Sequence, residues 1–486
     1  MSSPVFYSVS APAGSGKTYA AIDYAAQLAQ NNQKVLIAQP SIPLINQTET
    51  DFKARYANVP VSSIVSNSGT YNSRSVVARI LNHMEQTDPA IGEVLLISQQ
   101  ALGRLPDAYR QFWHVIVDEL PQAFTAHDMS MAKSHGFITA HLRIDEPLSA
   151  TLPDIMVVEA ADIGPLRELS ENKSGDKAFG LFKELTDDVL NEDKLVCVSA
   201  QEYAELVSNL GKRKEITFYA FQKSEFVSGF ASVTMMGANF EDTEIAHIWS
   251  RLDNVQWKPH PVIGTKLRYQ QHTSGHRLTI KYLIQGNWSQ SFANSTFESG
   301  TILDAVCSAM EGELGDEFLF QSNKKHEDSI FEDGIKLPQI VHGLNRPKFV
   351  RQNAVALVKA INHSSGVAAF LKAIGFTAEE LKVTMQYQGE YQAMMRSSLR
   401  NPNATAPVTV CVVSEGSAKW LQDKFPGSTV ERIASDIPEP KQAGAPKKRV
   451  TLSGAERTWD SKERAKAKIA AAKGEAYKIR PWPGKK

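Results

Sequence analysis

Lys17 and Thr18 close a glycine-rich run, Ala11-Pro12-Ala13-Gly14-Ser15-Gly16, near the amino end of this chain. The types and spacing suit a polyanion. Gly14 and Gly16 let consecutive backbone N–H groups, from Ala13 to Thr18, wrap a phosphate, and the helix expected to follow adds its positive end. Lys17 supplies a point charge for β and γ phosphates, and the Thr18 hydroxyl suits Mg²⁺. Ala11 stands where the GxxxxGK[ST] pattern has Gly. A second group follows about a hundred residues later, in Val115-Ile116-Val117-Asp118-Glu119-Leu120-Pro121. An apolar strand ending in adjacent carboxylates sets Asp118 to hold Mg²⁺, partly through water, and Glu119 to polarise an attacking water as general base. ATP and Mg²⁺ are the cofactors this pairing implies.

Such groups need a sheet to carry them. The apolar runs at 5–9, 35–38, 94–97, 115–117 and 231–236 read as buried strands between helical stretches, the pattern of a parallel sheet covered on both faces. Helical patterns at 178–190 and 201–210 mark residues 145–223 as a helical insertion. A second α/β lobe is expected from about residue 259, with strands at 278–283, 318–321, 340–341, 354–358 and 408–413 and helices at 302–310 and 417–425. The expected organisation is a first lobe over 1–258, a second over 259–433, and a linker with a tail over 434–486.

The bulk properties agree with a globular protein. Over 486 residues, 42% are hydrophobic and 22% charged, a soluble composition too long for one core. No run approaches the ~20 apolar residues of a membrane span, and the N-terminus has no signal-peptide pattern. Cys197, Cys307 and Cys411 are spaced for neither a disulfide framework nor a metal cluster, so a reducing cytoplasm is the expected compartment. Lys+Arg and Asp+Glu balance at 53 each, but from Lys441 onward there are about fourteen cations against four anions. With Trp459, Tyr477 and Trp482 among them, this basic tail suits a nucleic-acid contact.

The motifs resemble those of superfamily 2 helicases of the DEAD/DEAH type. APAGSGKT is close to the family's APTGSGKT, which also has Ala first, and DELP stands in its second motif. The resemblance implies two RecA-like lobes that close on ATP. It also implies nucleic-acid contacts from Gln39, Pro40 and Ser41, in the run 38–47 like motif Ia, and from Gln99 and Gln100 after the next strand. Motif III has two candidates, the Ser149-Ala150-Thr151 string and Gly237-Ala238-Asn239. The second ends a strong apolar strand and is preferred. In the second lobe, Gln392, Arg396 and Arg400 resemble motif VI, though Arg400 comes one residue late. On a helix these three share a face, which would carry the arginines to the γ-phosphate. Residues 320–324 resemble motif IV, and 342–346 stand in the motif V region.

The form is most similar to phage- or plasmid-type helicases, and on that resemblance DNA is preferred to RNA. In a phage, the compartment would be the host cytoplasm. Two other activities use parts of the same apparatus. One is a duplex translocase that does not separate strands. The other, from a different class, is a P-loop kinase or nucleotide switch, which would need neither a second lobe nor its arginines.

Overall fold

The computed structural model describes residues 5–66, 75–131, 134–208, 215–339 and 346–440, with residues 459, 462, 463 and 466 beyond them. Five strands open the chain: β1 (Phe6–Ser10), β2 (Lys34–Gln39), β3 (Val61–Ile64), β4 (Glu93–Ser98) and β5 (Trp113–Asp118). With Ser232–Gly237 and Trp257–Pro259 they make a seven-stranded sheet. Its order is Trp257–Pro259, β1, Ser232–Gly237, β5, β2, β4, β3, and every pairing is parallel. Both faces are covered, which is why β2 is buried at every position rather than alternately. The helices α1 (Lys17–Gln30) and α2 (Ile42–Arg55) share one buried face, where Ala25, Ala26, Ile45 and Phe52 meet Val35, Ile37 and Val94.

A second sheet, also wholly parallel, has six strands in the order Ile335–Lys336, Leu319–Gln321, Ala354–Leu357, Val408–Val412, Leu278–Tyr282, Thr429–Arg432. The chain therefore has the two RecA-like lobes expected. The outer strands Ile335–Lys336 and Thr429–Arg432 are short, partly exposed and outside the apolar runs that marked the others. The run at 340–341 and the motif V stretch 342–345 lie outside the described residues.

The segment between β5 and Ser232–Gly237 differs from the helical insertion expected. The two helices expected are present, at Lys183–Val189 and Ala200–Val207, with a further one at Ile163–Glu171. They pack on an antiparallel sheet of five strands, in the order Phe124–Ser130, Glu215–Gln222, Lys194–Ser199, Leu152–Val157, Pro147–Ser149. These strands are half-buried, and their mixed polar and apolar lettering hides the period-two pattern. The Ser149–Thr151 string turns between two of them, its hydroxyls 2.9 Å apart.

The two lobes share packing. Tyr219 of the insertion stacks on Phe370, with ring centroids 3.7 Å apart. Arg251 bonds Glu380 at 2.8 Å and Lys424 bonds Asp242 at 2.6 Å. Among the described residues no helix is long and apolar enough to cross a membrane. Residues 439–486 form a separate unit, in which Lys466 bonds Glu463 at 2.9 Å and sits over the Trp459 ring. The rest of the basic tail lies outside the described residues.

Candidate active site

The glycine-rich run turns between β1 and α1. Gly14 and Gly16 both have left-handed backbone, at φ +83° and +86°, a region other L-residues rarely adopt. Around the turn lies a cavity of about 340 Å³, lined from the first lobe by Gly14, Gly16, Lys17, Thr18 and Glu119. Gln392, Arg396 and Arg400 of the second lobe line the same cavity. These residues, separated by nearly four hundred positions in sequence, face one space.

The helix expected to carry all three second-lobe residues is interrupted. It runs from Gln388 to Met394, and Ser398–Arg400 forms a separate 3₁₀ turn. The Ser397 hydroxyl donates to the Met394 carbonyl at 2.6 Å and accepts the Leu399 N–H at 3.3 Å, ending one element and capping the next. Gln392 and Arg396 stay coupled, since the Arg396 guanidinium donates to the Gln392 side-chain oxygen at 3.3 Å. Arg400 reaches the loop independently, its Cγ within 3.4 Å of where a Cβ on Gly14 would stand.

Charge is concentrated here on buried groups, Lys17, Asp118 and Arg396. Burial holds the Lys17 ammonium below the usual lysine value; Glu119 and Asp118 oppose this, and Arg400 and Arg396 add to it. Burial pushes Arg396 down to about 10, with Arg400 acting the same way and Glu119 against. Burial raises the Asp118 carboxyl, Glu119 adds to that, and hydrogen bonds from Gln39 and Thr18 oppose it. A triphosphate with a divalent cation would compensate these mutually strained charges.

For Mg²⁺ the donor set fits. Thr18 donates to Asp118 Oδ2 at 2.8 Å, so a hydroxyl and a carboxylate already meet at one point beside the phosphate loop. Mg²⁺ takes few protein ligands besides phosphates and waters. Among the described residues no group of three or more His, Cys, Asp or Glu side chains could hold a metal ion. Ser15 Oγ is buried and has no partner among the described residues.

Gln39 corrects the sequence reading, which set it on the nucleic-acid surface, whereas Gln99 is half-buried. Gln39 is fully buried, and its amide donates to Asp118 Oδ2 and to Thr48 Oγ1, both at 2.9 Å. The polar end of β2 is turned inward because β2 pairs with β5, which ends at the buried Asp118 carboxylate, and the Gln39 amide gives that carboxylate a second donor beside Thr18. Gln99 donates to the backbone carbonyls of Glu119 at 2.6 Å and Asp118 at 3.3 Å. Glu119 has φ +65°, an uncommon backbone for a residue other than glycine, and Gln99 braces it. Pro40 and Gln100 are exposed beside them and Ser41 is partly so.

Of the motif III candidates, Gly237–Asn239 is at the site. Asn239 and Gln388 bond reciprocally, at 3.4 Å and 3.2 Å, across the lobes. In the stretch resembling motif IV, the Asn323 amide clamps Ala360 through its N–H at 2.8 Å and its carbonyl at 2.9 Å. Other contacts had no motif to announce them. Tyr391 accepts the Ala13 N–H at 2.7 Å, Tyr269 donates to the Ala13 carbonyl at 3.0 Å, and the Arg268 N–H donates to the Ser15 carbonyl at 2.9 Å. His272 meets the Tyr391 hydroxyl at 2.8 Å, and burial lowers its pKa to about 4, keeping it neutral. Adjacency to Gln392 was the one available signal for Tyr391.

Residues 4–157 match the family model described as DEAD/DEAH box helicase. Among solved structures, "XPD_Helicase" shares 9% identity at a TM-score of 0.46, covering 88% of this chain and 96% of that one. S. cerevisiae Dbp5 bound to RNA and ADP BeF3 shares 10% at 0.37, covering 88% and 85%. DEAD-box helicase Mss116 bound to ssRNA and UDP-BeF shares 10% at 0.32, covering 96% and 80%. No curated protein matches the chain. The family match takes in both the phosphate loop and the Asp118–Glu119 strand, so this part of the chain is similar to a DEAD/DEAH box helicase domain.

Proposed function

We propose that the chain is an ATP-driven nucleic-acid helicase whose hydrolytic site is completed across two lobes. One observation carries the reading: Arg396, Arg400 and Gln392 line the same cavity as Lys17, Thr18 and Glu119. In this reading the Ala13–Thr18 amides and Lys17 bind the triphosphate, and Thr18 and Asp118 hold Mg²⁺, the latter partly through water. Held there, the cation would supply positive charge to offset that of the phosphate oxygens. Glu119 takes the proton of the attacking water, and Arg396 and Arg400 stabilise the charge on the transferred phosphoryl group. Binding favours closed lobes, and release of phosphate lets them part and the strand advance.

Pro40, Ser41 and Gln100 are proposed to touch the nucleic-acid backbone, since they follow β2 and β4 at the carboxyl end of the first sheet, where such folds bind ligands. The expected preference for DNA has no support among the described residues, so the proposal is for nucleic acid of either sugar. The test is ATP turnover with single-stranded and duplex DNA and RNA, with Lys17→Ala as control. Stimulation by at least one, lost in the variant, is expected; turnover indifferent to all four sinks the reading. Strand separation beside triplex displacement then distinguishes a helicase from a duplex translocase.

A further inference from the structure

We propose that Arg268 is a nucleotide-binding residue, its guanidinium contacting the α- and β-phosphates of the nucleotide held by the phosphate loop. This rests on the nucleotide reading above and adds a group outside its motifs. Arg268 belongs to the segment that runs from the first sheet to the second, after the turn Ile263–Lys266.

That segment is tied to the loop itself. The Arg268 N–H bonds the Ser15 carbonyl at 2.9 Å, and the next residue, Tyr269, bonds the Ala13 carbonyl at 3.0 Å. With its backbone held at both points, the Arg268 side chain has a defined origin. A Cβ on Gly16 would stand 3.4 Å from its Cγ and Nε, and its guanidinium carbon lies 5.3 Å from the centre of the Tyr19 ring. The charged group thus spans Gly16 to Tyr19, the helical end of the loop, whose backbone N–H groups face α- and β-phosphates. Arg268 and Tyr19 both line the cavity that holds Lys17.

The charge on Arg268 is available. Arg55 also lies 5.3 Å from the Tyr19 ring centre, but it is paired with Asp23 at 2.6 Å. Arg268 has no carboxylate partner among the described residues. An aromatic face orients a guanidinium without neutralising it, and the planar fork suits phosphate oxygens. Glu119, Arg396 and Arg400 act on one another at the hydrolytic end. Arg268 stands by Gly16 and Tyr19 instead, so its contribution falls on the part of the nucleotide shared by ATP and ADP.

The test is equilibrium binding of ADP, ATP and GDP to the full chain, comparing wild type with Arg268→Ala, Arg268→Lys and Lys17→Ala. Arg268→Ala should weaken all three nucleotides by a similar factor, roughly tenfold, with Arg268→Lys recovering several-fold and showing that the fold is intact. ADP and ATP binding to Arg268→Ala at wild-type strength overturns the inference. So does a loss confined to one base, which would assign Arg268 to base stacking. Wild type that binds nucleotide normally alongside an unaffected Arg268→Ala leaves the proposed function standing. Wild type that binds no nucleotide removes both.

Discussion

The Tyr391 hydroxyl, in the second lobe, accepts the backbone N–H of Ala13, in the phosphate loop of the first, at 2.7 Å. The ring is fully buried, so a loop built to bind an anion is held from across the cleft by an uncharged group. Tyr391→Phe keeps the ring and strands a buried N–H, a loss of about 1–3 kcal/mol. Thermal unfolding should begin a few degrees lower, and the KM for ATP should change several-fold. An unchanged melting curve would show that the lobes do not depend on this contact.

Gln39 bonds Asp118 from within the core. Gln39→Ala should raise the Mg²⁺ concentration needed for half-maximal turnover roughly tenfold, as loss of one outer hydrogen bond to a metal ligand does elsewhere. Nucleic-acid affinity, measured without nucleotide, should stay within about twofold, since the side chain is buried. Weaker strand binding with ordinary Mg²⁺ dependence would return Gln39 to the surface role.

Gln99 bonds the Glu119 carbonyl at 2.6 Å and braces a left-handed backbone. Gln99→Ala should lower kcat about tenfold through misplacement of the general base and leave ATP affinity near that of wild type. Equal losses in both would mean that the variant disturbs the loop rather than the carboxylate.

Arg396, in the turn after Gln388–Met394, and Arg400, in the 3₁₀ turn Ser398–Arg400, both line the cavity. Alanine at either should depress hydrolysis by roughly 10³-fold or more, with much less effect on nucleotide binding. Single-turnover rates beside binding isotherms read the two separately. Parallel decline of binding and chemistry would count against a transition-state role.

Glu390 is buried beside Gln386 and Ser417, and burial pushes its carboxyl from 4.5 up to about 7. Because the folded value is the higher one, the folded state binds the extra proton, and stability from this group is lost as pH rises through about 7. Glu390→Gln should therefore be more stable than wild type at pH 8, by roughly 3 kcal/mol. The gain should fade as pH drops towards 4.5. Denaturant midpoints of both proteins across that range check it; a gain that does not vary with pH would show the carboxyl to be normal.

What could be read without coordinates was local. The sheet strands of the first lobe, the turn at Gly14–Thr18 and the Asp118–Glu119 pair are each set by a few adjacent residues, through apolar runs, glycine backbone freedom and strand ends. The antiparallel sheet of the insertion stayed hidden because half-buried strands mix polar and apolar letters, while its helices kept their spacing. The edge strand Thr429–Arg432 has too little burial to mark it.

The one-letter order thus determined which groups could grip a phosphate, polarise water and face a cleft, because those requirements are met by neighbours in the chain. Only the tertiary structure decided which glutamines turn inward to Asp118 and Glu119, and which arginines meet Lys17. It also brought Tyr391 and Arg268 to the loop. Those choices depend on parallel strand register and on the docking of two lobes. They act between residues from 20 to 378 positions apart and leave no periodic trace in the sequence.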